Sequence, residues 1–370
     1  MRIAVDARAL AGDRGVTRYT RALLEALARD YPEDEWRLFV PSRAPLPALD
    51  GLGRRPNVSV RRHPLPGRVL FSSSAILRRP RLDRLTGGTP DVVWAPTIAP
   101  LALSSAVPLV LTVQDLSFEL RPRDFTPYER LWHALARPRS LARHARRVIV
   151  LAEPTRDQLI VRWGLAAAAV RVVPPGVHGP VEAADPLGSL ERFGLSPRGY
   201  LLAVGALEPR KAPLLLARAF ARARARGLTA ELVFAGDGRL ADRLAGPGVK
   251  LLGRVSDREL DGLYAGAMAL VVPSLLEGFG LPLREALARG TPAVVSDLSV
   301  FGDELSDAVL RVPVGDEAAL AEGLLRIARE DGLRERMALA APAAVAGATW
   351  SAAAARTRAV LAEAGGESGA

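Results

Sequence analysis

Two glutamates, Glu277 and Glu285, bracket the segment Gly278-Phe279-Gly280-Leu281-Pro282. An apolar run, Ala269–Val272, ends at Pro273 just before them. A helix is expected from about Leu281, with Pro282 suited to its first turn. Gly278 and Gly280 let backbone N–H groups approach a ligand closely, and a helix amino terminus carries a positive partial charge. Together they make a cradle suited to phosphate. Glu285 falls about one turn into that helix, in reach of a ribose whose vicinal hydroxyls can donate to a carboxylate. Glu277, on the loop, is expected to face the sugar side. A second pair, Arg210-Lys211, follows the apolar run Leu201–Val204. It offers a bidentate fork beside a compact point charge, a combination suited to anions. The plainer alternatives are a strand–loop–helix turn with surface acids and a solvated Arg-Lys pair closing a loop.

These residues need elements to hold them, and the chain alternates short β-branched runs with Ala/Leu/Arg-rich stretches. In the first half the expected strands are Ile3–Val5, Trp36–Val40, Val58–Val60, Val92–Trp94, Leu109–Val113 and Val148–Leu151. In the second they are Leu201–Val204, Leu232–Ala235, Leu251–Leu252, Ala269–Val272, Ala293–Val295 and Val309–Val312. Apolar strands separated by helices indicate parallel sheets covered on both faces. Two such series predict two doubly wound α/β units, with ligands at the carboxyl ends of the strands. The break is expected between Val173 and Pro197, where Pro174-Pro175-Gly176 and Gly179-Pro180 interrupt regular structure. A closing helix is expected over Ser351–Ala364.

The bulk numbers fit two globular domains: 370 residues, 49% hydrophobic and 24% charged. The absence of cysteine excludes a disulfide framework, a Cys-based zinc site and a thiol nucleophile. His63, His133, His144 and His178 share no metal-ligand spacing and read as solvated positions among arginines. There is no Gly-x-Ser-x-Gly elbow, no Walker loop and no tight Asp-x-Asp pair. Asp6 interrupts any signal-peptide core, and Ile98–Val113 is broken by Pro100 and Pro108, short of the roughly 20 apolar residues that span a bilayer. The expected location is the cytoplasm.

At this point the sequence resembles a known family. Glu277 to Glu285 looks like the Glu-x7-Glu motif of glycosyltransferase family 4, the retaining "glycosyl transferases group 1" proteins of GT-B fold. Gly12-Asp13-Arg14-Gly15-Val16-Thr17-Arg18-Tyr19-Thr20 is similar to that family's first glycine-rich loop. Val204 to Lys211 resembles its diphosphate segment, Gly253 to Tyr264 the stretch beside the base, and Thr349-Trp350-Ser351 the start of its closing helix. The resemblance covers nearly the whole chain. It implies a GT-B architecture of two Rossmann-like domains facing a central cleft. Residues 1–180 would form the acceptor side, with helix 351–364 packed back on it, and residues 181–350 would bind a nucleotide-sugar donor.

The resemblance also implies roles. Arg210 and Lys211 would stabilise the departing diphosphate in place of a divalent metal, and Glu277 would complete the catalytic set. Gly15, Arg254, Val255, Gly278, Phe279, Gly280, Leu281 and Glu285 would contact the donor. No separate cofactor is implied, since the UDP- or GDP-linked donor is itself a substrate. Thr112-Val113-Gln114-Asp115 departs from the pattern: many relatives carry His-Asp after this strand. Gln114 can donate and accept hydrogen bonds but cannot take a proton. Either it orients a sugar hydroxyl, the leaving phosphate accepting the acceptor's proton, or the chain has kept donor binding and lost catalysis.

The formal charge of +10, mostly arginine, suits anionic partners. Arginines concentrate at 54, 55, 61, 62, 68, 78, 79, 81 and 84, and again at 137, 139, 143, 146 and 147, near Phe71 and Trp132. They read either as solvated helix faces or as a surface resting on anionic lipid near a saccharide or lipid-linked acceptor. Nucleic acid is disfavoured, because no aromatic-interleaved reader motif appears. A sugar-nucleotide epimerase shares the layout but matches Arg210-Lys211 and Glu277–Glu285 less closely. A nicotinamide dehydrogenase lacks its Gly-x-Gly-x-x-Gly opening.

Overall fold

The structure, a computed structural model, describes residues 1–366 apart from 13–14, 42–45, 47–48, 64–66, 105–106 and 181–185, and without the side chains of 68, 69, 71, 72 and 186. Asp13, Arg14 and the side chains of Arg68 and Phe71, singled out from the sequence, lie outside the described residues. The chain divides into two compact units, Met1–Gly176 with Ala348–Ala370, and Val177–Gly347.

The first unit holds a seven-stranded sheet of β1 (Arg2–Asp6), β2 (Glu35–Val40), β3 (Val58–Arg62), β4 (Val92–Ala95), β5 (Leu109–Val113), β6 (Arg147–Val150) and β7 (Val170–Val172). The order is β3-β2-β1-β4-β5-β6-β7, with every pairing parallel. β4 and β5 are buried at every residue, which is why they read as continuous apolar runs. The helix Gly15–Asp30 buries Tyr19, Leu23 and Leu27, as the i, i+4, i+8 spacing predicts. The closing helix Trp350–Gly365 starts on Thr349, whose Oγ1 accepts from the Ala352 N–H at 3.1 Å. It docks on this unit through Arg358 to Asp34 at 2.9 Å and through Glu363 to Arg147 and Arg171 at 2.6 and 2.7 Å.

Edge strand β7 was not expected from the sequence. Its three residues, Val-Arg-Val, follow an alanine run and bury only Val170 fully, so too few apolar positions mark it.

The second unit holds a six-stranded parallel sheet of β8 (Tyr200–Val204), β9 (Glu231–Ala235), β10 (Val249–Gly253), β11 (Ala269–Val272), β12 (Ala293–Ser296) and β13 (Val309–Val312). Its order is β10-β9-β8-β11-β12-β13. The helix Pro213–Ala225 begins with proline in its first turn and buries Leu216, Ala219, Phe220 and Ala223, one apolar stripe. It packs beside the helix Glu317–Arg329 over Leu201, Leu232 and Val271. Each large side chain so buried contributes about 1.5–3 kcal/mol.

Strand order reverses between β1 and β4 in the first unit and between β8 and β11 in the second. Neighbouring loops leave such a point on opposite faces of the sheet, opening a crevice at the strands' carboxyl ends. One further stretch, Asp331–Gly365, has the length and composition of a bilayer-crossing helix, the one such case among the described residues. It folds as two helices, Asp331–Val345 and Trp350–Gly365, one in each unit.

Candidate functional site

The β8–β11 switch gathers the charged residues that the sequence singles out. β8 ends at Val204 and leads through Gly205 into a short 3-10 turn, Pro209–Lys211. β11 ends at Val272 and leads through Pro273 and Ser274 to Glu277. The two loops are tied by the Leu275 N–H, which donates to the Arg210 carbonyl at 2.9 Å. That bond sets the cations of one loop against the carboxylate of the other.

Lys211 Nζ donates to Glu277 Oε1 at 2.5 Å, and the Ser274 hydroxyl donates to the same oxygen at 2.7 Å. Arg210 Nη1 stands 3.8 Å from Glu277 Oε2 and donates to the Leu276 carbonyl at 3.3 Å. The Glu277 side chain is only 6% exposed, so these partners decide its charge state. Burial pushes its carboxyl pKa up. The charges of Lys211 and Arg210 and the hydrogen bonds from Lys211 and Ser274 outweigh that and hold it below the usual carboxylate range. The carboxylate is thus turned toward the cations and stays ionised. Two cations and one anion leave a net positive charge.

An open recess of about 450 Å³ lies against this cluster, lined among others by Val204, Gly205, Lys211, Ser274, Glu277 and Gly280. Gly205 and Gly280 are the two glycines that line it. Three adjacent strands end in glycines of positive φ: Gly205 at 129° after β8, Gly236 at 152° after β9 and Gly253 at 65° closing β10. A Cβ on Gly236 would sit 2.0 Å from the Gly205 carbonyl oxygen, so the two backbones touch with no space for a side chain. Gly280 has a φ of 81° and faces Phe301, whose Cε1 a Cβ would approach to 2.6 Å.

The helix after the glycine loop, Leu281–Leu287, is seven residues long. It carries Glu285, 1% exposed, whose Oε2 accepts from the Tyr264 hydroxyl at 3.1 Å. Glu285 is not among the residues lining the recess. It belongs to a neighbouring buried network centred on Arg289. Arg289 Nε donates to Asp261 at 2.6 Å, and Nη1 donates to the carbonyls of Glu285 at 2.7 Å and His178 at 2.9 Å. Its guanidinium also lies 5.4 Å from the Tyr264 ring centroid. Phe279 is buried with the Arg284 guanidinium 4.1 Å above its ring. Arg254, exposed, and Val255, half-buried, follow β10, two strands away from β8.

In the first unit Gly15 opens the helix Gly15–Asp30, exposed, with no atom within 4 Å of where a Cβ would stand. Gln114 follows β5, and its Nε2 reaches the Pro96 carbonyl, just past β4, at 3.4 Å. His133 departs from the solvated position expected of it. It is half-buried, stacked on Phe118 at 4.7 Å and edge-on to Phe125 at 5.4 Å. Burial lowers its pKa, against the opposing effects of the Glu129 carbonyl and the Glu129 and Asp115 carboxylates.

Sequence reasoning assigned nothing to Ser274, Gly236, Arg284 or Arg289. Ser274 stands three residues before Glu277, and that spacing was its one available signal. Gly236 and Arg289 matter through contacts with distant segments, which spacing does not encode. Among the described residues, no group of three or more His, Cys, Asp or Glu side chains gathers as a metal site.

Residues 14–178 match the family model described as Glycosyltransferase Family 4, and residues 193–343 match Glycosyl transferases group 1. The chain is a two-sheet GT-B protein related to these glycosyltransferase families in both of its units. It is 27% identical over 243 residues to the O-antigen chain mannosyltransferase B of Escherichia coli, covering 61% of this chain and 62% of that protein. It is 34% identical over 227 residues to the D-inositol 3-phosphate glycosyltransferase of Actinosynnema mirum, covering 56% and 54%. These matches thus span less than two thirds of either relative's length. Among solved structures, HepE of Anabaena in complex with UDP-glucose superposes with a TM-score of 0.72 at 18% identity, covering 98% of this chain and 100% of that one. At that identity the likeness speaks for the fold.

Proposed function

We propose that this chain is a retaining hexosyltransferase that takes a UDP- or GDP-sugar, with mannose or glucose favoured, and works without a metal ion. The acceptor is a saccharide or a lipid-linked molecule. The observation that carries this reading is the meeting of Lys211, Arg210 and Glu277 beside an open recess at the strand-order reversal. Breaking a glycosyl–diphosphate bond puts negative charge on the departing oxygen. Preorganised cations facing that oxygen lower the barrier, one such donor supplying roughly 3–4 kcal/mol. Lys211 spends one of its three donors on Glu277 and keeps two for phosphate oxygens. Glu277 holds the ammonium in place, so little reorganisation is left to the moment of reaction.

In this reading the glycine rim at Gly205, Gly236 and Gly253 admits the pyrophosphate, and the loop Gly278 to Leu281 flanks it. Glu285 takes the ribose hydroxyls once its bond to Tyr264 exchanges, and Arg254 and Val255 border the base. For Gly15 and Gln114 the roles rest on the family resemblance. Gln114 orients a sugar hydroxyl, and the leaving phosphate accepts the acceptor's proton on the face it vacates, which gives retention. A mannosyltransferase among the relatives supports the choice of sugar.

A second reading, donor binding without turnover, rests on Gln114, which offers no base at the end of β5. A panel of UDP-, GDP- and ADP-sugars, scored by thermal shift and by release of free nucleotide, separates the two. Release of UDP or GDP supports the enzyme and identifies the donor. Stabilisation with no release across diverse acceptors selects the second reading, and no stabilisation by any donor defeats both.

A further inference from the structure

We propose that Arg284 is a positioning residue that holds the loop Gly278 to Gly280 in the shape that receives a donor, an inference that rests on the donor reading above. The helix Leu281–Leu287 has Gly280 as its N-cap, so Phe279 stands one residue before the cap and Arg284 is the fourth helical residue. Side chains at these two positions often pack on each other and fix the angle at which the chain enters the helix. Here the contact is a cation on a ring. The Arg284 guanidinium lies 4.1 Å from the Phe279 ring centroid, and both residues are buried.

The guanidinium reaches further than an apolar side chain could. With its face on the ring, Nη2 donates to Glu304 Oε1 at 3.1 Å and joins the loop to the 3-10 turn Asp303–Leu305. The residues leading into that turn meet the loop at a second point, where Phe301 faces Gly280. Arg311 of β13 pins them, its Nη2 donating to the Phe301 carbonyl and, at 2.9 Å, to the Gly302 carbonyl. The loop is thus braced at Phe279 and Gly280 by a segment anchored to the sheet. The arrangement opposes itself in two ways. Arg284 Nη1 is buried with no hydrogen-bond partner among the described residues, and a cation near a helix amino terminus runs against the helix dipole. A leucine would pack on Phe279 without either penalty but would not tie the loop to Glu304. Gly280, Pro282 and Leu283 line the recess, whereas Phe279 and Arg284 do not, so Arg284 acts through the loop.

The test combines amide hydrogen exchange of the donor-free full chain, read over residues 277–282, with steady-state nucleotide release. Arg284→Met keeps the length and the apolar stem and removes the planar fork. Glu304 is 55% exposed, so losing its partner leaves no buried unpaired charge. Exchange over 277–282 should rise about tenfold with β8 unchanged, the scale of one buried cation–ring contact. A loop correctly shaped a tenth as often weakens apparent affinity by the same factor, so the donor KM should rise about tenfold with kcat within about threefold. Arg284→Lys, which keeps a cation over the ring, should fall between the two proteins. Glu304→Ala, at an exposed position, is the second variant and should speed loop exchange about threefold. Parent-like exchange in both Arg284→Met and Glu304→Ala overturns the proposal, as does a loss confined to kcat. A parent that no UDP-, GDP- or ADP-sugar stabilises overturns the donor reading instead, and the exchange comparison still decides whether Arg284 braces the loop.

Discussion

Lys211 Nζ lies 2.5 Å from Glu277 Oε1 across 66 residues of sequence. Each belongs to a loop leaving a strand, and β8 and β11 are neighbours in the sheet although two strands separate them in sequence. The contact joins the two loops at the point where strand order reverses. Removing the lysine should therefore disable charge stabilisation while leaving the sheet beneath it intact. Lys211→Ala should lower nucleotide release by about a hundred- to a thousandfold, the effect of deleting one preorganised donor. Stopped assays of released nucleotide, with circular dichroism as the folding control, decide it. A variant that turns over within threefold of the parent would remove Lys211 from the site.

Glu277 carries a pH signature. Its folded pKa is depressed because Lys211, Arg210 and Ser274 outweigh the effect of burial. A depressed carboxylate contributes stability that is present above its unfolded value of roughly 4.3 and is lost as pH falls through the folded value. Melting temperature should thus fall more steeply below about pH 4 in the parent than in Glu277→Gln. Parallel slopes for the two proteins would show that the carboxylate is not held ionised by its neighbours.

Gly236 is required by contact as well as by conformation. Its φ of 152° suits glycine, and a Cβ there would meet the Gly205 carbonyl oxygen at 2.0 Å. Gly236→Ala should cost about 1–3 kcal/mol, of which the backbone strain alone is a large part. It should also displace Gly205 and weaken nucleotide affinity. Gly15→Ala, where a Cβ meets nothing within 4 Å, is the control for steric cost and should leave melting temperature within about a degree. Equal effects in the two variants on denaturant unfolding would contradict the packing.

Arg289 and Asp261 form a buried pair, 6% and 4% exposed, that also holds the carbonyls of His178 and Glu285. Removing one partner leaves the other charge uncompensated, so Arg289→Ala should destabilise the second unit by about 3–5 kcal/mol. Replacing both with apolar residues of similar size should recover part of that loss. Urea unfolding of the single and double variants measures both effects. Additive losses would mean that the two side chains do not act as a pair.

Much of this could be read along the chain. Twelve of the strands announce themselves as apolar runs between helices, because a strand buried on both faces has no polar positions to spare. The Pro273 to Pro282 loop is legible because glycine and proline act on their own backbone, without reference to distant neighbours. β7 escaped notice because an edge strand of three residues buries too little to leave a pattern.

The sequence by itself determined the two doubly wound sheets and the residue types at their carboxyl ends, since periodicity, turn chemistry and charge are local properties of a chain. Tertiary structure alone decided that the Glu277 carboxylate turns to Lys211 and Ser274, that Gly236 presses on Gly205, and that Glu285 sits beside Tyr264 in a buried network. Each of these depends on which strands lie side by side and how closely two backbones approach. Such contacts join residues far apart in the chain, and no local pattern records them.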